Sequence, residues 1–319
     1  MIESPNAPLI RLGTRGSPLA LAQAEEVQRR LMAAHPDLAA AEAVQIVVIK
    51  TTGDRVTDRP LAEIGGKGLF TKEIEAALAA GEIDAAVHSM KDVPTWLPDG
   101  MTLAAYLPRE DVRDAFFSPH ARSIAELPQA ARVGSASLRR QAQLLIARPD
   151  LKVGLIRGNV ETRLRKLEAG EVDATLLAVA GLNRLGRSDA IQVRLSTEEM
   201  LPAVGQGAVG LEVRAADERT YRYIRALNDI ETEARVCAER ACLEVLEGSC
   251  RTPIAALAEV ADRNRMRFRA LVAEPDGSAS WRAEREGPLS DSLALARDAG
   301  AELRAAAGEA FFERLADLF

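Results

Sequence analysis

An α/β fold of two similar domains joined by a double hinge, with a smaller α+β domain behind them, is the architecture this sequence predicts. Strand-length apolar runs alternate with amphipathic helical stretches from residue 9 to residue 179, the pattern of parallel sheets with covered faces. Two breaks, PRED at 108–111 and LPAVGQGAVG at 201–210, stand where a chain would leave one such unit and return to it. Beyond residue 228 the pattern changes to one long helix, three strands and two closing helices. The expected domains are therefore 1–108 with 203–227, then 109–202, then 228–319.

The elements follow in order. LIRLGT (9–14) reads as a strand, and Ser17 then caps a helix with Pro18 at its first position. Ala20, Ala24, Val27 and Leu31 form the buried stripe of that helix, which must end before Pro36. VQIVVI (44–49) is β-branched and reads as a buried strand. GGKGLF (65–70) leads into a helix through Ile74, Ala77 and Leu78 that stops at Gly81. Strands are expected at 84–88, 102–107, 112–117, 132–137, 152–156 and 173–179, with helices at 138–147 and 160–169. A helix at 230–246 and strands at 252–260, 266–273 and 278–286 follow, the last two joined by an Asp276-Gly277 hairpin.

Composition narrows the class. The chain has 319 residues, a hydrophobic fraction of 47% and an aromatic fraction of only 4%, so Ala, Leu, Val and Ile must build the cores. A net charge of −6 argues against a general nucleic-acid binder. Within that acidic total, 132–166 carries nine basic residues opposed only by Asp150 and Glu161, which suggests a bound anion. No leader pattern and no membrane-length apolar run stand out, and a reducing cytoplasm is the expected location. Three scattered histidines and three cysteines without metal spacing predict no metal site.

Four segments sit where strand ends meet helix starts, the usual place for ligands in open α/β sheets. They are Thr14-Arg15-Gly16-Ser17, Ser89-Met90-Lys91-Asp92, Gly134 through Arg140, and Arg157-Gly158-Asn159 with Arg163 beyond. Hydroxyls, helix N-termini and guanidinium forks together suit carboxylates. Asp92 is the acid/base candidate, with a turn or cap before Pro94 as the alternative; His88 reads as a structural strand-end histidine. Lys67 lacks P-loop spacing and belongs to a mobile loop, 50–67. Cys237 and Cys242 read as core residues. Cys250, beside Arg251 on a loop, is the cysteine placed for nucleophilic work, although loop thiols are usually inert.

These segments together resemble the porphobilinogen deaminase family over nearly the whole chain. The matching stretches are TRGSPLAL (14–21), GGKGLF (65–70), AVHSMKDVP (86–94), SLRRQ (137–141), RGNVETRL (157–164), LAVAGLNRLG (177–186), LPAVGQGA (201–208) and LEGSC (246–250). The resemblance implies two domains like those of type II periplasmic binding proteins, and a dipyrromethane cofactor held by a thioether on Cys250. It implies Asp92 as the catalytic aspartate. It carries over Arg15, Ser17, Ser89, Lys91, Ser137, Arg139, Arg140, Arg157, Arg163 and Gln206 as cofactor- or substrate-contacting positions. Phe70 would stack near the pyrroles and Lys67 would close the loop. Ser135-Ala136 departs from the family's two hydroxyls; Ser135 can substitute, while Ala136 has no side-chain donor.

The implied reaction condenses four porphobilinogen molecules, with loss of ammonia, into linear hydroxymethylbilane. A growing oligopyrrole accumulates carboxylates, which the basic run 132–166 would meet. A binding module without turnover would leave Cys250 and the third domain unexplained. A nucleic-acid partner conflicts with the acidic total, and no membrane partner is expected.

Overall fold

The computed structural model describes residues 9–40, 42–55, 68–248, 252–262 and 264–317. The elements run β1 (Ile10–Arg15), α1 (Pro18–Ala34), β2 (Val44–Ile49), α2 (Thr52–Arg55), α3 (Lys72–Ala79), β3 (Ala85–Ser89) and β4 (Met101–Tyr106). They continue with β5 (Asp114–Phe117), β6 (Arg132–Gly134), α4 (Leu138–Ala147), β7 (Lys152–Gly154), α5 (Val160–Glu168), β8 (Ala174–Ala178), α6 (Val179–Arg184) and β9 (Val193–Arg194). After β10 (Val209–Arg214), α7 (Glu218–Arg225) and α8 (Ile230–Val245) come β11 (Ile254–Asp262), β12 (Arg265–Ala273), β13 (Ser280–Pro288), α9 (Ser292–Ala307) and α10 (Glu309–Asp317).

Two compact units contain these elements. The first draws on Met1–Val56, Lys67–Arg109 and Ala208–Glu233. Its sheet has the order β2-β1-β3-β10-β4, with β1 parallel to β2 and β3 and β10 antiparallel to β3 and β4. The Ala24, Val27 and Leu31 stripe of α1 packs with Leu12, Val87 and Leu211 on one face. Ile74 and Leu78 of α3 pack with Ile83 and Ala86 on the other. Ser17 caps α1, its hydroxyl accepting from Ala20 N–H at 3.3 Å, as the Ser-Pro start requires.

The second unit holds 110–207 and the chain from 234 onward. One of its sheets, β7-β6-β8-β5-β9, repeats the order of the first sheet, again with one strand, β5, antiparallel to its neighbours. The other is the antiparallel sheet β11-β12-β13, whose Phe268, Ala270 and Val272 pack with Cys242, Leu303 and Phe311. Gly277 supplies the positive φ of the β12–β13 turn, at 75°.

Both α/β sheets are mixed where covered parallel sheets were expected. In the first sheet the antiparallel strand is β10, which comes back after 110–207; in the second it is β5, the first strand of that sheet in the chain. The 44–49 strand is an edge strand, and only Val44 in it is buried. Its apolar run therefore reflects β-propensity more than burial on both faces. The expected strands at 132–137 and 152–156 stop at Gly134 and Gly154, which frees the following residues for loops and caps.

Candidate active site

In the first unit, a recess of about 270 Å³ opens at the C-terminal ends of β1 and β3. Its lining includes Arg15, Gln23, Phe70, His88, Ser89 and Asp92. Parallel strands end there with unpaired backbone groups and leave room for a ligand. Asp92 closes the single 3₁₀ turn Met90–Asp92 after β3, and one oxygen lies 3.6 Å from Nη1 of Arg15. Both side chains keep about a quarter of their surface exposed, 22% and 26%, so they can meet a substrate.

Arg15 is held from two further directions. Its fork donates to Asp54, with Nη2 to Oδ1 at 2.5 Å and Nε to Oδ2 at 3.1 Å. Its guanidinium also lies 4.0 Å from the centre of the Phe70 ring, a cation–π contact. Burial works to raise the Asp54 pKa, but the Arg15 bonds and charge, with Thr51, outweigh it and hold the carboxyl below its usual range. Phe70 can approach because residue 53 is glycine: a Cβ there would meet the ring at 2.2 Å. Ser89 Oγ pairs with the Gln23 amide at 2.9 Å from Nε2, so Ser89 faces the recess already oriented. Lys91 lies half-buried on the same turn as Asp92.

The second unit gathers a cationic group. Ser137 caps α4, accepting from Arg140 N–H at 3.4 Å, and Ser135 Oγ accepts from Ser137 N–H at 3.1 Å. Arg139 and Arg140, both about 5% exposed, converge on the fully buried Asp114 that opens β5. Arg139 Nη2 donates to Asp114 Oδ2 at 2.9 Å, and Arg140 donates through Nη2 at 2.7 Å and Nε at 3.2 Å. Gln206 adds a bond to Asp114 Oδ1 at 3.0 Å and another to the Val112 carbonyl at 2.7 Å. Burial would push the Asp114 pKa up, and the two arginines pull it far below the carboxylate range instead.

Arg163 is of another kind. It is half-buried in α5, and its Nε donates to the Gly158 carbonyl at 2.9 Å. Burial first, then the charges of Arg140 and Arg157, lower its pKa to about 10. Cations crowded into a partly dry place are stabilised by an anion. The basic run 132–166 is not one free face, since Arg132 pairs with Asp173 at 3.0 Å and Arg148 with Asp150 at 2.7 Å. Positive charges crowd at Arg163, which feels both Arg140 and Arg157.

Arg15, Phe70, Ser89 and Asp92 thus share one recess in the first unit, with Ser17 spent on a helix cap beside it. Ser135, Ser137, Arg139, Arg140, Gln206, Arg157 and Arg163 lie in the second unit. Lys67, most of the loop expected at 50–67, and Cys250 lie outside the described residues; within that loop, 52–55 forms a short helix. The sequence reading missed Gln23, Asp54 and Asp114. A glutamine on the buried stripe of α1 and an aspartate opening the apolar strand DAFF were the available signals, whereas Asp54 had none. Cys242 is buried, its thiol pushed up to about 12 by burial and by Glu239, while Cys237 is only half-buried. Among the described residues no cluster suited to a metal ion occurs, and no helix is long and apolar enough to cross a membrane.

Known proteins with similar sequences carry one description. Residues 10–222 match the family model described as porphobilinogen deaminase, dipyromethane cofactor binding domain, and 233–305 match the porphobilinogen deaminase C-terminal domain. A porphobilinogen deaminase of Nitrobacter hamburgensis is 59% identical over 95% of this chain and 95% of that protein. A chloroplastic one from Oryza sativa is 56% identical over 96% of this chain and 86% of its own length. Among solved structures, a periplasmic substrate-binding protein of an ABC transporter from Coxiella burnetii is 15% identical and covers 70% of this chain and 94% of its own, with a TM-score of 0.43.

Proposed function

We propose, for a chain that belongs to the porphobilinogen deaminase family, that Asp92 is the catalytic carboxylate and that Arg15, Ser17, Phe70, Arg157 and Arg163 bind substrate. The enzyme condenses porphobilinogen stepwise, with loss of ammonia, into linear hydroxymethylbilane on a dipyrromethane primer, a transferase step of tetrapyrrole biosynthesis. The observation that carries the assignment is the 3.6 Å approach of Arg15 to Asp92 in a recess walled by Phe70. Asp92 there accepts pyrrole N–H and stabilises positive charge as it develops on the ring nitrogen. Arg15 meets an acetate or propionate, and Phe70 offers an aromatic face.

The donor set of the second unit fits a carboxylate-bearing cofactor. Burial and the neighbouring charges of Arg140 and Arg157 lower the Arg163 pKa, and a carboxylate placed there would favour the charged form. Ser135, Ser137, Arg139, Arg140, Arg157, Arg163 and Gln206 are the dipyrromethane-binding candidates in the second unit, and Arg15, Ser17, Ser89, Lys91 and Asp92 those in the first. Cys250 would anchor it as a thioether, and Lys67 would close over the substrate. When bound, the cofactor supplies the nucleophilic pyrrole carbon that primes the chain. Arg139 and Arg140 already spend donors on Asp114, so their part is to line the site with fixed charge. The acidic net charge and soluble composition support a cytoplasmic monomer without nucleic-acid or membrane partners.

Intact-protein mass spectrometry on the purified enzyme tests the anchor. The expected result is a mass excess of two pyrrole units that maps to Cys250 and gives Ehrlich colour; an active enzyme of unmodified mass refutes it. Asp92→Asn should keep fold and cofactor and lose most turnover, and near-normal turnover would remove Asp92 from the role.

A further inference from the structure

On the face of the first sheet that α3 covers, three titratable side chains meet inside an apolar layer. Gly210 pairs with His88 and Ala86 with Glu212, so His88 and Glu212 are diagonal neighbours on one face. Nε2 of His88 stands 2.9 Å from Oε2 of Glu212, and the residues are 4% and 0% exposed. Glu75, from α3, is 7% exposed. One oxygen of each carboxylate, Oε1 of Glu212 and Oε1 of Glu75, is buried with no donor. Burial first, and the Glu212 charge with it, raise the Glu75 pKa. Ile74, Leu78, Ile83 and Ala86 make up the surrounding layer. Apolar residues would fill such a place at least as stably, so stability alone does not account for the cluster.

His88 also lines the recess that contains Asp92. A neutral imidazole that donates Nε2–H to a carboxylate keeps its lone pair on Nδ1. The carboxylate fixes that tautomer and stabilises the imidazolium once a proton arrives. Each condensation has such a proton to move. We propose that His88, held by Glu212 and backed by Glu75, accepts the proton that leaves the pyrrole α-carbon as each new bond forms. The inference rests on the reading of the Asp92 recess as the reaction site.

The step balances without a redox partner. The aminomethyl group enters protonated, and as its C–N bond breaks the electron pair leaves with nitrogen as ammonia. The new C–C bond draws its electrons from the acceptor pyrrole. The α C–H bond then breaks, its pair restoring the aromatic ring and its proton going to Nδ1 of His88. The imidazolium passes that proton to the ammonia, which departs as ammonium, and the histidine is neutral again. The charged groups around His88 are Glu212 from β10 and Glu75 from α3, with Arg15 and Asp92 across the recess and Lys91 on the turn after β3.

The test combines ¹⁵N NMR of histidine-labelled holoenzyme with steady-state kinetics, for wild type and H88N. With three histidines in the chain, H88N assigns the signal. Neutral His88 is expected as the Nε2–H tautomer. H88N should lower kcat about 100-fold with KM and Ehrlich-reactive cofactor unchanged. An Nδ1–H tautomer, or an H88N enzyme with wild-type kcat, overturns the proposal. Should H88N lose its cofactor, the tautomer of the wild-type enzyme decides alone. Near-normal turnover in Asp92→Asn would refute the site reading and leave the His88 tautomer unchanged, so the two failures are separable.

Discussion

Asp114 and Arg140 form a two-point ion pair, 2.7 Å from Nη2 to Oδ1 and 3.2 Å from Nε to Oδ2, at a carboxylate with no exposed surface. Arg139 shares the same carboxylate at 2.9 Å. One buried anion therefore fixes two cations at the start of α4. Asp114→Asn would leave both guanidinium groups buried without it, a loss of about 3–5 kcal/mol. Urea unfolding should show that loss, and Ehrlich-reactive cofactor should fall in the same variant. The Asp114 contribution is present above the ordinary aspartate range and is lost only as pH drops through its far lower folded value.

Arg163 predicts a titration. Before the cofactor is assembled, ¹³C NMR of labelled arginine should show the Arg163 guanidinium titrating below the usual arginine range. Arg157→Gln removes a neighbouring positive charge and should raise that midpoint. Assembly of the carboxylate-bearing cofactor should raise it further, because an anion favours the charged form. A midpoint indifferent to the cofactor would separate Arg163 from the anion site.

Gly53 predicts a steric effect on the recess. Alanine there would place Cβ 2.2 Å from the Phe70 ring, and the ring must leave the Arg15 guanidinium. An exposed cation–π contact is worth ~0.5–1 kcal/mol, so KM for porphobilinogen should rise about two- to fivefold. Steady-state kinetics on Gly53→Ala measures this, with kcat changing less than KM.

Asp54 competes with Asp92 for Arg15. In Asp54→Asn the guanidinium loses its closer anion, 2.5 Å away, and keeps the one at 3.6 Å. Arg15 should then turn toward Asp92, and tighter pairing there should lower kcat severalfold. Because Arg15 and Thr51 depress the Asp54 pKa, the Asp54–Arg15 contribution to stability is complete above the usual aspartate range. It disappears as pH falls through the lower folded value. Acid unfolding of the Asp54→Asn variant should lack that component.

Much of this protein could be read from its residues. The Ser17-Pro18 start, the stop at Gly81, the α4 span 138–147 and the Asp276-Gly277 turn all rest on local preferences of φ, capping and periodicity, and each stands where those preferences put it. Asp92 and Arg15 were legible because strand-to-helix junctions are short and ordered along the chain. The buried partners were not. Glu75 and Glu212 look in sequence like solvated acids, and Asp54 carries no local signal.

The sequence by itself determined the alternation of strands and helices, the two crossings, the cationic stretch and the family motifs, since all of these are written in neighbouring residues. Tertiary structure decided which charges are spent and which remain available. It set Asp114 beneath Arg139 and Arg140, turned Arg132 and Arg148 onto local acids, and brought His88 to Glu212 from 124 positions away. Charge pairing depends on distance through space and on the exclusion of water, and the order of residues along a chain states neither.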